Sequence, residues 1–188
     1  MSTLHFDGED WATETLTEVV ADWTPILAAV SGLTNEVAFA SYQEHEFQVR
    51  LRTGEEWLEV ERVEASQGGE MIFGGDDGIW LAVDSADDAR LVHVGDCELE
   101  LEEIASPVAL APSDTGVTAY GFDWAGVPWR LDVDPGCNVE RVRLGGAVGK
   151  GLSNISIVTS GSAAVLVGDF FAARSDSEFE ETFEPLCY

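Results

Sequence analysis

Between Val37 and Val63 the chain alternates. In "EFQVRLR", Phe47, Val49 and Leu51 fall on one side and Gln48, Arg50 and Arg52 on the other, the period-two pattern of a half-buried antiparallel strand. The runs Val37 to Gln43 and Trp57 to Val63 read as its neighbours, with "TGEE" as a turn. "EMIFGG" and "GIWLAVD" form another pair around Gly75 to Gly78, where Asp and Gly tolerate left-handed backbone. "CELELEEI", "VTAYGFDWAGVPWRLDV" and "VERVRL" extend the series.

Three segments read as helices. From Asp10 to Val30, Trp11, Leu16, Val19, Val20, Trp23, Ile26, Leu27 and Val30 recur near helical spacing, with a kink or break at Pro25 and a stop at Gly32. "SADDARLVHVGD" has Ser85 as N-cap with Asp87 and Asp88 in its first turn. Ser162 caps a C-terminal helix bearing Ala163, Leu166, Val167, Phe170 and Phe171. The run Ile155 to Thr159 fits strand or helix equally. The expected class is therefore α+β: an N-terminal helix, an antiparallel β-meander and a C-terminal helix in one domain over 1–188. "SPVALAPSDTG" is the candidate internal boundary, leaving halves 1–105 and 113–188. Gly54 and Trp57 against Gly126 and Trp129 suggest that the meander is duplicated.

Composition changes the picture through charge. Nine cationic side chains face thirty-six carboxylates, a formal charge of −27, while 45% hydrophobic and 10% aromatic residues provide for a core. Too few cations are present to neutralise a run of phosphates, which excludes nucleic acid and disfavours an anionic membrane surface. Solvation or salt adaptation, a basic protein partner and cation binding compete to explain the acidity. "MSTLHFDGEDW" has neither the positive flank nor the apolar stretch of a signal peptide. Cys97, Cys137 and Cys187, odd in number and widely spaced, fit reduced thiols, so the expectation is a soluble cytoplasmic protein.

Candidate chemistry is sparse. The only lysine, Lys150, lies in "LGGAVGKGLS", where Leu144 and Gly151 occupy the positions at which a phosphate loop needs Gly and a hydroxyl. His93 and Cys97 have no second pair to complete a zinc site, "GLSNI" lacks the last glycine of a nucleophile elbow, and "GGDDG" lacks the ligand spacing of a calcium loop. No catalytic residue, cofactor or metal ligand is expected. The acids, however, are organised. Glu98, Glu100 and Glu102 recur at period two, near Asp76, Asp77, Asp84, Asp87 and Asp88, with Trp80 as an aromatic anchor for a partner.

In composition and order of elements the chain resembles the immunity proteins of bacterial polymorphic toxin systems, among them the immunity factor of the tuberculosis necrotizing toxin type. The segments that carry the resemblance are "FQVRLRTGEEWLEVERV", "EMIFGGDDGIWLAV", "SADDARLVHVG" and "SAAVLVGDFF". The resemblance implies an antitoxin that occludes the active site of a cognate toxin, an NAD-glycohydrolase in that family; a basic nuclease suits the charge equally. The alternative is a non-catalytic, salt-adapted or structural binding domain with no toxin partner.

Overall fold

The structure, a computed structural model, describes residues 2–6, 11–15, 26–31, 34, 36–54, 56–76, 78–84, 89–144, 155–160, 163–168 and 171–175. Every regular element among them is a β-strand. A ribbon of β1 (Ser2–Phe6) and β2 (Trp11–Thr15) comes first. The first four-stranded sheet follows, from β3 (Ile26–Val30), β4 (Val37–Gln43), β5 (Glu46–Thr53) and β6 (Glu56–Glu64). The second holds β7 (Gln67–Phe73), β8 (Ile79–Asp84), β9 (Ala89–His93) and β10 (Cys97–Leu101). The third holds β11 (Ile104–Pro112), β12 (Val117–Asp123), β13 (Pro128–Val133) and β14 (Val139–Arg143), and a fourth the three strands β15 (Ile155–Ser160), β16 (Ala163–Gly168) and β17 (Phe171–Ser175).

Each sheet is a meander in which sequence neighbours pair antiparallel. The first strands of successive sheets touch, β3 on β7, β7 on β11 and β11 on β15. Two cores fill the spaces between sheets. Phe47, Val49, Met71, Phe73, Leu81 and Val83 join the first sheet to the second; Trp80, Leu91, Leu101, Leu110, Val117 and Leu131 join the second to the third. Stacked four-stranded meanders with their first strands innermost are the blade arrangement of a β-propeller.

The α+β expectation is overturned, and burial explains why. The second sheet is covered on both faces, so β9 reads "ARLVH" with four of its five residues buried. A strand with two buried faces loses its alternation and cannot be told from a buried helix by periodicity. The expected N-terminal helix is instead occupied by β2 and β3, and the expected C-terminal helix by β16 and β17. The Asp10 to Val30 spacing mixed two strands into one apparent helical stripe. The rest of those segments lies outside the described residues.

The candidate boundary at "SPVALAPSDTG" forms most of β11 and the turn after it. The matched Gly54–Trp57 and Gly126–Trp129 segments do not correspond: Gly54 turns β5 into β6, whereas Gly126 turns β12 into β13. A different recurrence runs with the sheets. Arg50-Leu51, Arg90-Leu91 and Arg130-Leu131 stand forty residues apart, each on the third strand of its sheet. The side chains do not follow one another round, because turn lengths differ and a one-residue offset exchanges the faces of a strand. Arg90 shares its face with Val92, toward the first sheet, whereas Arg130 lies opposite Leu131, which faces the second.

Candidate functional site

The nine residues singled out for a partner surface separate in the folded chain. Trp80 is 0% exposed and stacks on His93, ring centroids 4.3 Å apart, so it is core and presents no face to a partner. Asp76 lies beside it, accepting from Trp80 Nε1 at 3.1 Å while its other oxygen meets His93 Nε2 at 3.1 Å. His93 also faces the Pro135 carbonyl at 3.2 Å and Asp96 at 3.3 Å through Nδ1. This buried network ties the second sheet to the third. Cys97 and Cys137 are disulfide-bonded at the same seam, with Cα atoms 6.2 Å apart, which corrects the expectation of reduced thiols.

Glu98 and Glu100 are exposed on β10, the outermost strand of the second sheet, and Glu98 pairs with Arg90. Glu102 is exposed too, but in the turn after β10 rather than on the strand. Asp84 ends β8, its backbone carbonyl accepting from Ser66. Asp77, Asp87 and Asp88 lie outside the described residues.

Clefts among the described residues include one on the third sheet and one between the first and second. One, of about 320 Å³, lies at the β13–β14 end of the third sheet and includes Asp132, Asp134, Asn138 and Glu140. Its principal carboxylates are committed to structure. Asp132 accepts from Thr118 and pairs with Arg130, each at 2.8 Å, and Asp134 accepts from the backbone of Gly136 and Asn138, each at 2.9 Å. These hydrogen bonds, the Asn138 side chain first, hold the Asp134 carboxyl below its ordinary range.

The other cleft, of about 410 Å³, lies where the first sheet meets the second, and its wall is Glu44, His45, Glu46, Glu64, Ala65, Ser66 and Arg90. Glu44 and His45 form the two-residue turn between β4 and β5, with φ of 51° and 70°. Such a turn suits Asn-Gly, and a side chain with a Cβ costs about 1 kcal/mol per left-handed residue. Surrounding bonds hold the turn in place: Ala65 N donates to the His45 carbonyl at 2.8 Å, and the Tyr42 hydroxyl donates to the Ser66 carbonyl at 2.6 Å. Arg90 reaches in from β9, bonded to Glu98 and to the Glu64 carbonyl. The cleft thus sets carboxylate acceptors, a guanidinium and a histidine around one space of small-ligand size. The sequence reading missed it because its residues come from two sheets. The one local sign was Glu-His where a hairpin turn favours Asn-Gly.

Comparison with known proteins gives a fold and no family. No protein-family model matches the chain, and no curated protein matches it. Among solved structures, a structure of SapL1 lectin in complex with alpha methyl fucoside is similar, with a TM-score of 0.58 and 12% sequence identity over 92% of this chain and 67% of that one. At that identity the likeness is one of fold. No helix among the described residues is long and apolar enough to cross a membrane.

Proposed function

We propose that this protein is a non-catalytic recognition module whose cleft between the first and second sheets binds a neutral polyhydroxylated ligand, a glycan. The observation that carries the reading is the convergence of Glu44, Glu46, Glu64 and Arg90 on that cleft at a strained turn. A sugar hydroxyl both donates and accepts, so vicinal hydroxyls are matched by carboxylate acceptors beside guanidinium donors. Strained backbone held by surrounding bonds is found preferentially at ligand sites. A lectin with a similar fold supports the choice of ligand class.

The test is calorimetric titration of the full chain with a panel of neutral methyl glycosides, alpha methyl fucoside among them. Saturable binding by one or more, weakened in Glu46→Gln and in His45→Ala, is the expected result. A flat response across the panel would sink the reading.

The exposed acids of the second sheet support a second reading, an acidic inhibitor of a basic toxin acting as an immunity protein. Glu98, Glu100 and Glu102 stand together at the outer edge of that sheet, and complementary charge speeds encounter and excludes wrong partners. Its support from element order is withdrawn, since "SADDARLVHVG" and "SAAVLVGDFF" were read as helices and contain strands. The Cys97–Cys137 bond favours an oxidising site of action over the cytoplasm that such an inhibitor would occupy. A toxin complex that weakens in high salt and is lost in a Glu98→Lys, Glu100→Lys, Glu102→Lys variant would establish this reading instead of the first.

A further inference from the structure

Trp57, Trp80 and Trp129 are buried or half-buried, but Trp124 stands 64% exposed in the turn between β12 and β13. Tryptophan is highly buried on average, so an indole held out in water calls for a reason. The turn beneath it is fixed. One Asp123 oxygen accepts from the backbone of Ala125 and Val127, each at 2.9 Å, and the other from Trp129 Nε1 at 3.3 Å. Gly126 N donates to the Asp123 carbonyl at 2.8 Å. The Trp124 ring itself has no hydrogen bond or ring contact among the described residues. The fold therefore presents a large flat ring, already positioned, that no core uses.

Acidic side chains gather at the same end. Ile104 is the cross-strand partner of Asp123, which brings the β10–β11 turn, Glu102 and Glu103, to the end of the third sheet that carries Trp124. Glu98 and Glu100 lead to that turn along β10, and all four glutamates are exposed. Glu98 pairs with Arg90, whereas the carboxylates of Glu100, Glu102 and Glu103 have no hydrogen bond or ion pair among the described residues. Two guanidiniums of β14 offset part of this charge. Arg141 donates to the Glu102 carbonyl at 3.4 Å, and Arg143 stands opposite Trp129. The hydrogen bonds of the turn, that from Val127 first, hold the Asp123 carboxyl below its ordinary range, with Arg143 adding to them.

An approaching cation meets an aromatic face rimmed by carboxylates, in a chain of net charge −27. Guanidinium suits it better than ammonium, because its plane stacks on an indole while its N–H groups pair with carboxylates. An aromatic anchor in a charged rim is the make-up of tight protein interfaces; Trp80, expected in that role, is core, and Trp124 is the ring left to fill it. We propose that the Trp124 turn, with Glu102 and Glu103, docks an arginine-bearing segment of a basic protein partner.

This surface is separate from the cleft at Arg90 and does not rest on the glycan reading; it shares with the toxin reading only the acidic edge of β10. Calorimetric titration of the full chain with a short arginine-rich peptide tests it, with a lysine-rich peptide of equal length and charge as control. Saturable binding at about 0.15 M salt is expected, several-fold tighter for the arginine peptide. Trp124→Ala leaves every charge in place and should weaken that binding about three- to fivefold, Trp124→Tyr should restore most of it, and Glu102→Gln with Glu103→Gln should also weaken it. Thermal melts confirm that the variants fold. Absence of binding overturns the proposal, as does equal binding by the parent chain and Trp124→Ala, which would be diffuse attraction to net charge. The neutral change at Trp124 separates this outcome from that of the toxin reading, whose test reverses charge along β10.

Discussion

Glu70 shows how one side chain links two sheets at a cost. It stands on β7 and accepts the Leu110 N–H of β11 at 2.8 Å. Burial raises its pKa above the ordinary glutamate value, and the Leu110 bond only partly offsets this. A carboxyl whose folded pKa is raised favours the fold while protonated, below its unfolded pKa, and that contribution is lost as pH rises through the folded value. Glu70→Gln keeps an acceptor for Leu110 and removes the ionisation, so Tm is expected to rise at pH 7 and the gain to vanish near pH 4; an unchanged Tm at both pH values would contradict it. Asp134 has the opposite sign. Its carboxyl is held low by Asn138 and Gly136, so its contribution is present at neutral pH and is lost as pH falls through the depressed value. Asp134→Ala should therefore lower Tm at pH 7, with the difference narrowing in strong acid. Both are read by thermal melts across pH.

At the scale of elements, the Gly74–Gly78 turn is defined by what surrounds it. A Cβ at Gly75 would lie 1.6 Å from the Ser113 carbonyl oxygen, and one at Gly78 would lie 2.1 Å from His93 Nε2. Gly75 N also donates to the Gly116 carbonyl at 2.8 Å, so the β7–β8 turn is packed onto the β11–β12 turn. Gly75→Ala is expected to destabilise by roughly 2 kcal/mol or more, because backbone rather than a movable side chain must yield; denaturant melts measure it. The hairpin at Glu44 and His45 should respond the other way. Glu44→Asn with His45→Gly relieves two left-handed residues and should raise Tm while abolishing glycoside binding, a combination that a purely structural turn would not give.

At the scale of the whole molecule, the second and third sheets are held together by the His93 network and by the Cys97–Cys137 bond. With the cysteines 40 positions apart in sequence, the bond contributes about 4 kcal/mol through restriction of the unfolded chain. Reduction, or Cys97→Ser with Cys137→Ser, is expected to lower Tm clearly; a melt indifferent to reductant would show that the bond does not form in solution. Net charge acts at the same scale. A chain at −27 repels itself, so Tm should climb as salt screens that repulsion.

The strands themselves were legible at β4 and β5, whose expected bounds agree with the structure to within a residue, but the solvated face expected of β5 is not there: Gln48 is buried between Phe47 and Val49, as Ala38 to Ser41 are on β4. Composition alone determined the charge, and with it the expectation of no nucleic-acid partner. What the sequence could not decide was how sheets stack. Burial on both faces erased the alternation of β9 and made it look helical, and it sent Trp80 into the core instead of toward a partner. The cleft at Arg90 draws on residues from two sheets. Local pattern encodes which face of a strand is apolar; only packing determines what that face meets, and the proposed glycan cleft depends on the meeting.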